Sequence, residues 1–370
     1  MNATPLKNAI DIVKEPWRPG DEDTAYIGLE HINENDLSLN GIGRSIALES
    51  NKFRFRAKDI LFGKLRPYFR KVVMPDFDGV CSTDIWVMRA REGYDQRFMF
   101  YFMANPVLVS QSSGASTGTK MPRADWGFLG NTLWNFPTLV EQQEIAKILS
   151  SLDEKIGLLK HKNEALEQIA RNMFTEWFVK PTTGALPSGW RIGTLGEEFQ
   201  IIMGQSPKGE TFNEAKDGMV FFQGRTDFQW RFPKTRLYTT TPTRVAEPTD
   251  VLVSVRAPVG DINVALEQCC IGRGLAAIRG VAKSYTLYKV LSLQEVIRAF
   301  DAEGTVFGSV SKTDLANVCA NIPPTELMER FERAMSPLDN QILNNSRQID
   351  VLSNTREMLL PKFMSSEIRI

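Results

Sequence analysis

The residues best placed to do chemistry are cations interleaved with aromatics. Between Lys52 and Lys71 stand Lys52, Arg54, Arg56, Lys58, Lys64, Arg66, Arg70 and Lys71 against a lone Asp59, with Phe53, Phe55, Phe62, Tyr68 and Phe69 among them. On a strand, Arg54 and Arg56 share one face, opposite Phe53 and Phe55. Guanidinium groups held this way can reach phosphate oxygens or the O6 and N7 of guanine. A single charge run is most often a solvated face, but a second one follows. It holds Gln223, Arg225, Arg231, Lys234, Arg236 and Arg244, with Gln229 and Trp230 between them, and Arg256 comes shortly after.

Two glycine loops form another candidate set. Ser112–Lys120, with Thr117, Gly118, Thr119 and Lys120, corresponds to Gly304–Lys312, with Ser309, Ser311 and Lys312. Glycine permits close backbone approach, and hydroxyls, amides and a lysine can hold phosphate oxygens. An ordinary turn is the competing explanation. Gly204-Gln205-Ser206-Pro207-Lys208 is of the same kind, and the Gln205 amide suits an adenine edge.

Catalytic patterns are missing. The two histidines, His31 and His161, have no cysteine or histidine metal partner nearby. A Ser-His-Asp or Cys-His site is therefore not expected. There is no phosphate-binding Gly-x-x-x-x-Gly-Lys-Ser/Thr loop and no Gly-x-Gly-x-x-Gly turn. Asn105-Pro106-Val107-Leu108 is a poor match to the Asn/Asp-Pro-Pro-Tyr/Phe of amino-methyltransferases. Asp153-Glu154-Lys155 resembles a nuclease triplet but falls on a heptad helix, where it reads as surface charge.

The elements that position these residues occur twice. A β-rich stretch runs into a long heptad helix, and about 186 to 190 residues later the pattern returns. Asp59-Ile60-Leu61, followed by Arg66, echoes Asp250-Val251-Leu252, followed by Arg256. Leu149–Ile156 echoes Met335–Ile342. Thr138-x-x-Glu141 is a capping box opening the first helix. Its seam runs through Ile145, Leu149, Leu152, Ile156, Leu159 and Leu166 in steps of four and three, with Asn163 in the one polar position. The second seam includes Leu338, Ile342, Ile349 and Leu352, with Asn345 and Arg356 in its polar positions. Pro337 should kink or start that helix, and Pro361 should end or bend it. Neither helix can bury its seam alone. The two either pair antiparallel or dock separate proteins, and the asparagines either fix register or are solvated.

The fold class expected is α+β, a pseudo-twofold internal repeat with boundaries at 1–136, 137–180, 181–322 and 323–370. Two divergent copies suit a target that itself has two halves. Lys+Arg 44 balances Asp+Glu 44, so any basic surface must come from local clustering. Cys81, Cys269, Cys270 and Cys319 form no Cys-x-x-Cys pair, which disfavours zinc and disulfides and fits a reducing cytoplasm. No apolar run is long enough for a signal peptide or a membrane span.

Several segments resemble the specificity subunit of type I restriction–modification systems. They are Pro137–Ile145 with its helix, Arg356–Ser365, Leu186-Pro187-Ser188-Gly189-Trp190, Leu195-Gly196 and Gly204–Pro207. The resemblance covers nearly the whole chain, although the first copy lacks the Pro-x-Gly-Trp opening. It implies two target-recognition domains, each reading one half of a split double-stranded DNA site. Two conserved helices would form an antiparallel coiled coil that sets the gap, on the order of one DNA turn of about 34 Å. It implies two methyltransferase subunits carrying S-adenosylmethionine, with or without a motor–nuclease subunit using ATP and Mg²⁺, in a system of phage defence. No cofactor is expected in this chain, and the chain itself is expected to be non-catalytic. The competing classes are a coiled-coil scaffold without sequence-specific DNA binding and a self-contained methyltransferase.

Overall fold

The computed structural model describes residues 3–114, 121–301, 308–365 and 367–369. The chain divides into two compact units, Met1–Leu159 with Gln348–Ile370, and Lys160–Arg347. The division cuts both long helices, α1 (Leu139–Phe174) and α2 (Thr325–Met364), so each unit owns a part of each.

In the first unit a four-stranded antiparallel sheet runs in the order Ile10–Val13, Ile85–Ala90, Ile60–Gly63, Val72–Val73. A five-stranded sheet joins Glu15–Trp17, Lys52–Phe55, Gly79–Cys81, Ala25–Ile27 and Gly43–Arg44, with one parallel pairing, Ala25–Ile27 on Gly79–Cys81. Alternation along the central strands feeds two cores. Ile60, Phe62 and Met88 face a core shared with Phe98, Phe102 and the long helices. Leu61, Val87 and Ile85 face a second core with Ile27 and Phe55. Because both faces are covered, these strands read as continuous apolar runs.

The second unit repeats this layering. Its four-stranded sheet runs Gln200–Met203, Leu275–Arg279, Val251–Ser254, Ile262–Val264. Its five-stranded sheet also has one parallel pairing, Met219–Phe222 on Cys269–Ile271. Val251, Val253 and Ile278 face the helices, whereas Leu252, Ala277 and Leu275 face the second core.

Within each unit the two helices run antiparallel. In the first, Asp153 meets Arg356 at 2.6 Å, while Ile145 and Leu149 join a core with Leu360, Phe363 and Met364. In the second, the Asn345 amide donates to Asn163 at 2.8 Å, and further along Phe174 meets Phe331 with ring centroids 5.6 Å apart. Ile156, Leu159 and Ile342 are buried, and Leu152, Leu166, Leu338, Ile349 and Leu352 are half-buried. Both asparagines are buried and bonded to each other rather than solvated. That placement suits a register-setting pair.

Pro337 does not start the second helix, because α2 begins at Thr325 and continues through it. Pro337 is exposed, so water can serve the Arg333 carbonyl that lacks its usual amide partner. Pro361 does not end the helix either; the Ser365 N–H still donates to its carbonyl at 2.9 Å. After Phe174, α1 widens into a π turn, Thr175–Val179, before a last tight turn at Lys180–Thr182. The wider turn places Trp177 and Phe178 against Phe331.

Candidate nucleic-acid interface

The same turn introduces the central strand in both units. Arg56 and Asp59 exchange bonds, the Arg56 N–H to the carboxylate at 2.8 Å and the Asp59 N–H to the Arg56 carbonyl at 2.9 Å. Glu247 and Asp250 do likewise, at 2.8 and 3.0 Å. Lys58 and Thr249 occupy equivalent positive-φ positions, 70° and 72°. Each buried aspartate is then held by an arginine from the neighbouring strand. Arg89 bonds Asp59 at 2.6 and 2.8 Å, and Arg279 bonds Asp250 at 2.7 and 2.9 Å.

That strand leads into a junction built alike in both units. The Lys64 N–H donates to Asp84 and its carbonyl accepts from Ala124, at 2.9 and 2.8 Å. Val255 does the same with Gly274 and Val310, at 2.9 and 3.0 Å. Next come matching bridges, Leu65 to Arg123 and Arg256 to Ser309. Leu65, not Arg66, is therefore the counterpart of Arg256, and the echo expected between those arginines is off by one residue. Arg123 comes after the first glycine loop in sequence and Ser309 lies within the second, and the two bridges sit at the same end of each central sheet. Thr117, Gly118, Thr119 and Lys120 lie outside the described residues, as do residues 304–307 of the second loop.

The two junctions carry different chemistry. In the first unit Lys14, Lys64, Thr83, Asp84, Trp86 and Arg123 line a cleft of about 290 Å³, with Arg123 bonded to Asp84 at 3.3 Å. In the second unit the place of Ser82-Thr83-Asp84 is taken by Gly272-Arg273-Gly274. The Gln205 amide donates to Ile271, and the Arg273 amide donates to the Ser206 hydroxyl. Gln205, Gln223, Arg244, Arg256 and Arg273 are all exposed there. Among the described residues, none of these three arginines has an ion pair or a side-chain hydrogen bond.

Other expected contact residues are already committed. Arg70 is buried and forms a two-pronged bond to Glu357 on α2. Arg231 is buried and bonds Asp339 on α2, Tyr288 at 3.2 Å and Glu167 on α1 at 3.5 Å. Both fasten a β-rich region to the helices of its own unit and are closed to a DNA backbone. Burial alone would lower the Arg231 pKa, but Asp339, Tyr288 and Glu167 raise it further, so it stays charged. Burial would likewise raise the Glu357 carboxyl, yet Arg70 and Arg356 hold it below its usual range.

Arg54 bonds Asp21 at 2.9 Å and Glu22. Arg56 lies past the end of its strand, so the two do not form the shared strand face expected; it is exposed and only 3.9 Å from Glu15. Lys71 donates to the Leu29 carbonyl at 2.8 Å. Arg225 is tied to Asp261 and Arg236 to Asp227. Ser311 closes a capping box with Asp314, which occupies its hydroxyl. Lys58, Tyr68, Lys208, Gln223, Ser309 and Lys312 remain exposed, Lys64 and Arg66 half-buried. Arg244, part of the second basic run, is exposed as expected of a contact residue, whereas Arg273 and Arg123 were not among the expected residues. Gly272-Arg273-Gly274 does carry a signal, a lone cation between two glycines directly after an apolar run.

His161 is exposed on α1, and the His31 Nδ1 accepts from the Gly28 amide at 2.9 Å. Among the described residues no cluster of His, Cys, Asp and Glu could hold a metal ion, and no helix is long and apolar enough to cross a membrane.

These features define a duplicated protein, two sheet-rich units whose central sheets end in junctions of like backbone and unlike side chains. The pattern described as "Type I restriction modification DNA specificity domain" matches residues 6–168. The putative type I restriction enzyme MjaX specificity subunit of Methanocaldococcus jannaschii is 32% identical over 250 residues, which span 63% of this chain and 59% of that protein. The MjaIX specificity subunit of the same organism is 26% identical over 312 residues, 76% of this chain and 71% of that one. The solved HsdS subunit from Thermoanaerobacter tengcongensis is 30% identical, with 99% and 97% of the two chains covered and a TM-score of 0.41. The type I S subunit from M. genitalium, 16% identical with 98% and 95% covered, has a TM-score of 0.62 and shares the fold. Residues 6–168 thus match the type I specificity domain, and the chain is similar to specificity subunits of type I restriction–modification systems.

Proposed function

We propose that this chain is the non-catalytic subunit that gives a type I restriction–modification complex its DNA sequence specificity. Each unit reads one half of a bipartite double-stranded site through the loops at the end of its central sheet. The long helices carry the docking surface for two methyltransferase subunits, which bring S-adenosylmethionine. A motor–nuclease subunit, where present, brings ATP and Mg²⁺. The observation that carries this reading is the duplicated junction. One backbone scaffold, with matching hydrogen bonds at Lys64 and Val255 and matching bridges at Leu65 and Arg256, presents Lys64, Thr83 and Arg123 in one unit and Gln205, Arg256 and Arg273 in the other. A constant frame with exchanged polar side chains is what reading two different half-sites requires. In this reading no residue of the chain touches a reacting atom.

The test is co-expression with the methyltransferase encoded beside it, followed by mapping of methylated adenines by single-molecule sequencing. A split motif with a fixed gap, one half of which changes when residues 1–136 are exchanged, is the expected result. An unsplit motif, or no methylation from an assembled complex, would put the protein scaffold in its place.

A further inference from the structure

The junction of the second unit is held by glycines rather than by side chains. A β-carbon on Gly204 would lie 2.1 Å from the Gly272 carbonyl oxygen. On Gly272 and Gly274 it would lie 2.8 and 2.9 Å from the Gln223 carbonyl oxygen. None of the three positions can take a larger residue without displacing backbone. The turn at Arg273 is thereby pressed against the segments of Gln205 and Gln223. Further bonds fix it: Gly272 N–H to Phe222 at 2.8 Å, Val255 N–H to Gly274 at 2.9 Å, and Arg273 N–H to the Ser206 hydroxyl at 3.2 Å.

Arg273 is the tip of this clamped turn. Its neighbours in sequence have no side chains, so nothing beside it shields it. Arg244 is likewise exposed and unpaired among the described residues but has no such clamp at its neighbours, whereas three arginines of the second basic run are held. Arg231 is buried, and Arg225 and Arg236 are tied to Asp261 and Asp227. Arg273 is exposed and, among the described residues, without an ion pair or side-chain hydrogen bond. A planar fork of donors on an immobile backbone loses little entropy on engaging a planar acceptor pair. A base edge offering two adjacent acceptors is such a partner, and in the major groove that is guanine, through O6 and N7.

We infer that Arg273 is a specificity-determining residue that reads a guanine in the half-site of the second unit. The inference rests on the proposed function and names the reading residue and the base. The counterpart position in the first unit is Thr83, beside Asp84 held by Arg123, so the two halves are read with different chemistry.

The experiment uses the assembled complex with its methyltransferase. Wild type, Arg273→Ala and Arg273→Lys are compared by adenine methylome and by DNA binding over a range of salt. In both variants discrimination at one guanine of the second half-motif should relax, roughly five- to 150-fold for the alanine change. The first half-motif and the assembly should be unaffected. Arg273→Lys should keep most non-specific affinity while losing that discrimination, because the point charge remains and the fork does not. An unchanged motif overturns the inference. So does weakening that is uniform over all sequences with a shallower salt dependence, which would assign Arg273 to a phosphate. Absence of any split motif in the wild type would instead fail the underlying function.

Discussion

The two units solve one problem with different parts. Each places a tyrosine from a short helix against an aspartate on a long one: Tyr101 on Asp153 at 2.6 Å, and Tyr288 on Asp339 at 2.9 Å. Each aspartate also takes an arginine. In the first unit that is Arg356, from the opposite long helix, and in the second it is Arg231, from a loop of the β-rich region. The first unit still fastens its β-rich region to the helices, using Arg70 on Glu357, which also binds Arg356. The need to neutralise a half-buried carboxylate is fixed by helix packing. Which segment supplies the cation is free to vary, because long side chains can arrive from several directions.

The widest gap between the units should appear on removing their loop arginines. Arg231→Ala leaves Asp339 with only Tyr288 and should destabilise the second unit by about 3–5 kcal/mol in denaturant titration. Arg70→Ala leaves Glu357 still paired with Arg356, and the half-exposed carboxylate is partly solvated, so about 1–2 kcal/mol is expected. Equal losses would show that the two clasps are interchangeable after all. Next in size is the asparagine pair. Asn163→Leu or Asn345→Leu alone should cost about 1–3 kcal/mol, by stranding a buried amide, while the double change recovers most of it. A double-mutant cycle with no coupling would remove the pair as a register device.

The smallest effect concerns pH. The Glu357 carboxyl is held low by Arg70 and Arg356, so its contribution is present above the unfolded value of about 4.3 and is lost as pH falls through the lower folded value. Glu198 in the second unit is half-buried with its side chain covered, and burial pushes its carboxyl up despite Lys289 and Tyr285. Its effect runs the other way, with stability gained as pH falls through that raised value to the unfolded value of about 4.3. Glu357→Gln should therefore flatten the acid loss, and Glu198→Gln should remove the gain. Denaturation midpoints from pH 7 to 3 would show whether the two variants diverge in this sense.

The repeat, the seams and their polar positions were legible because periodicity is local. Asn163 and Asn345 stood out as the polar breaks in apolar seams, and Asp59 and Asp250 as matching acids before matching strands. Which arginines were free was not legible. Arg70 finds its acid 287 residues away, and Arg231 reaches Asp339 108 residues away, and no spacing rule connects them. Basic runs therefore mixed surface cations with fasteners. Arg273 was missed for the opposite reason, since it stands alone between glycines rather than in a run.

The glycine junction has a consequence for how such a protein changes over generations. Because Gly204, Gly272 and Gly274 set the turn, its shape owes nothing to the side chain at position 273. Exchange of an exposed residue on such a support usually shifts stability by no more than about 0.5 kcal/mol. One codon can then be rewritten, and the sequence of bases selected with it, while folding and subunit assembly are inherited unaltered.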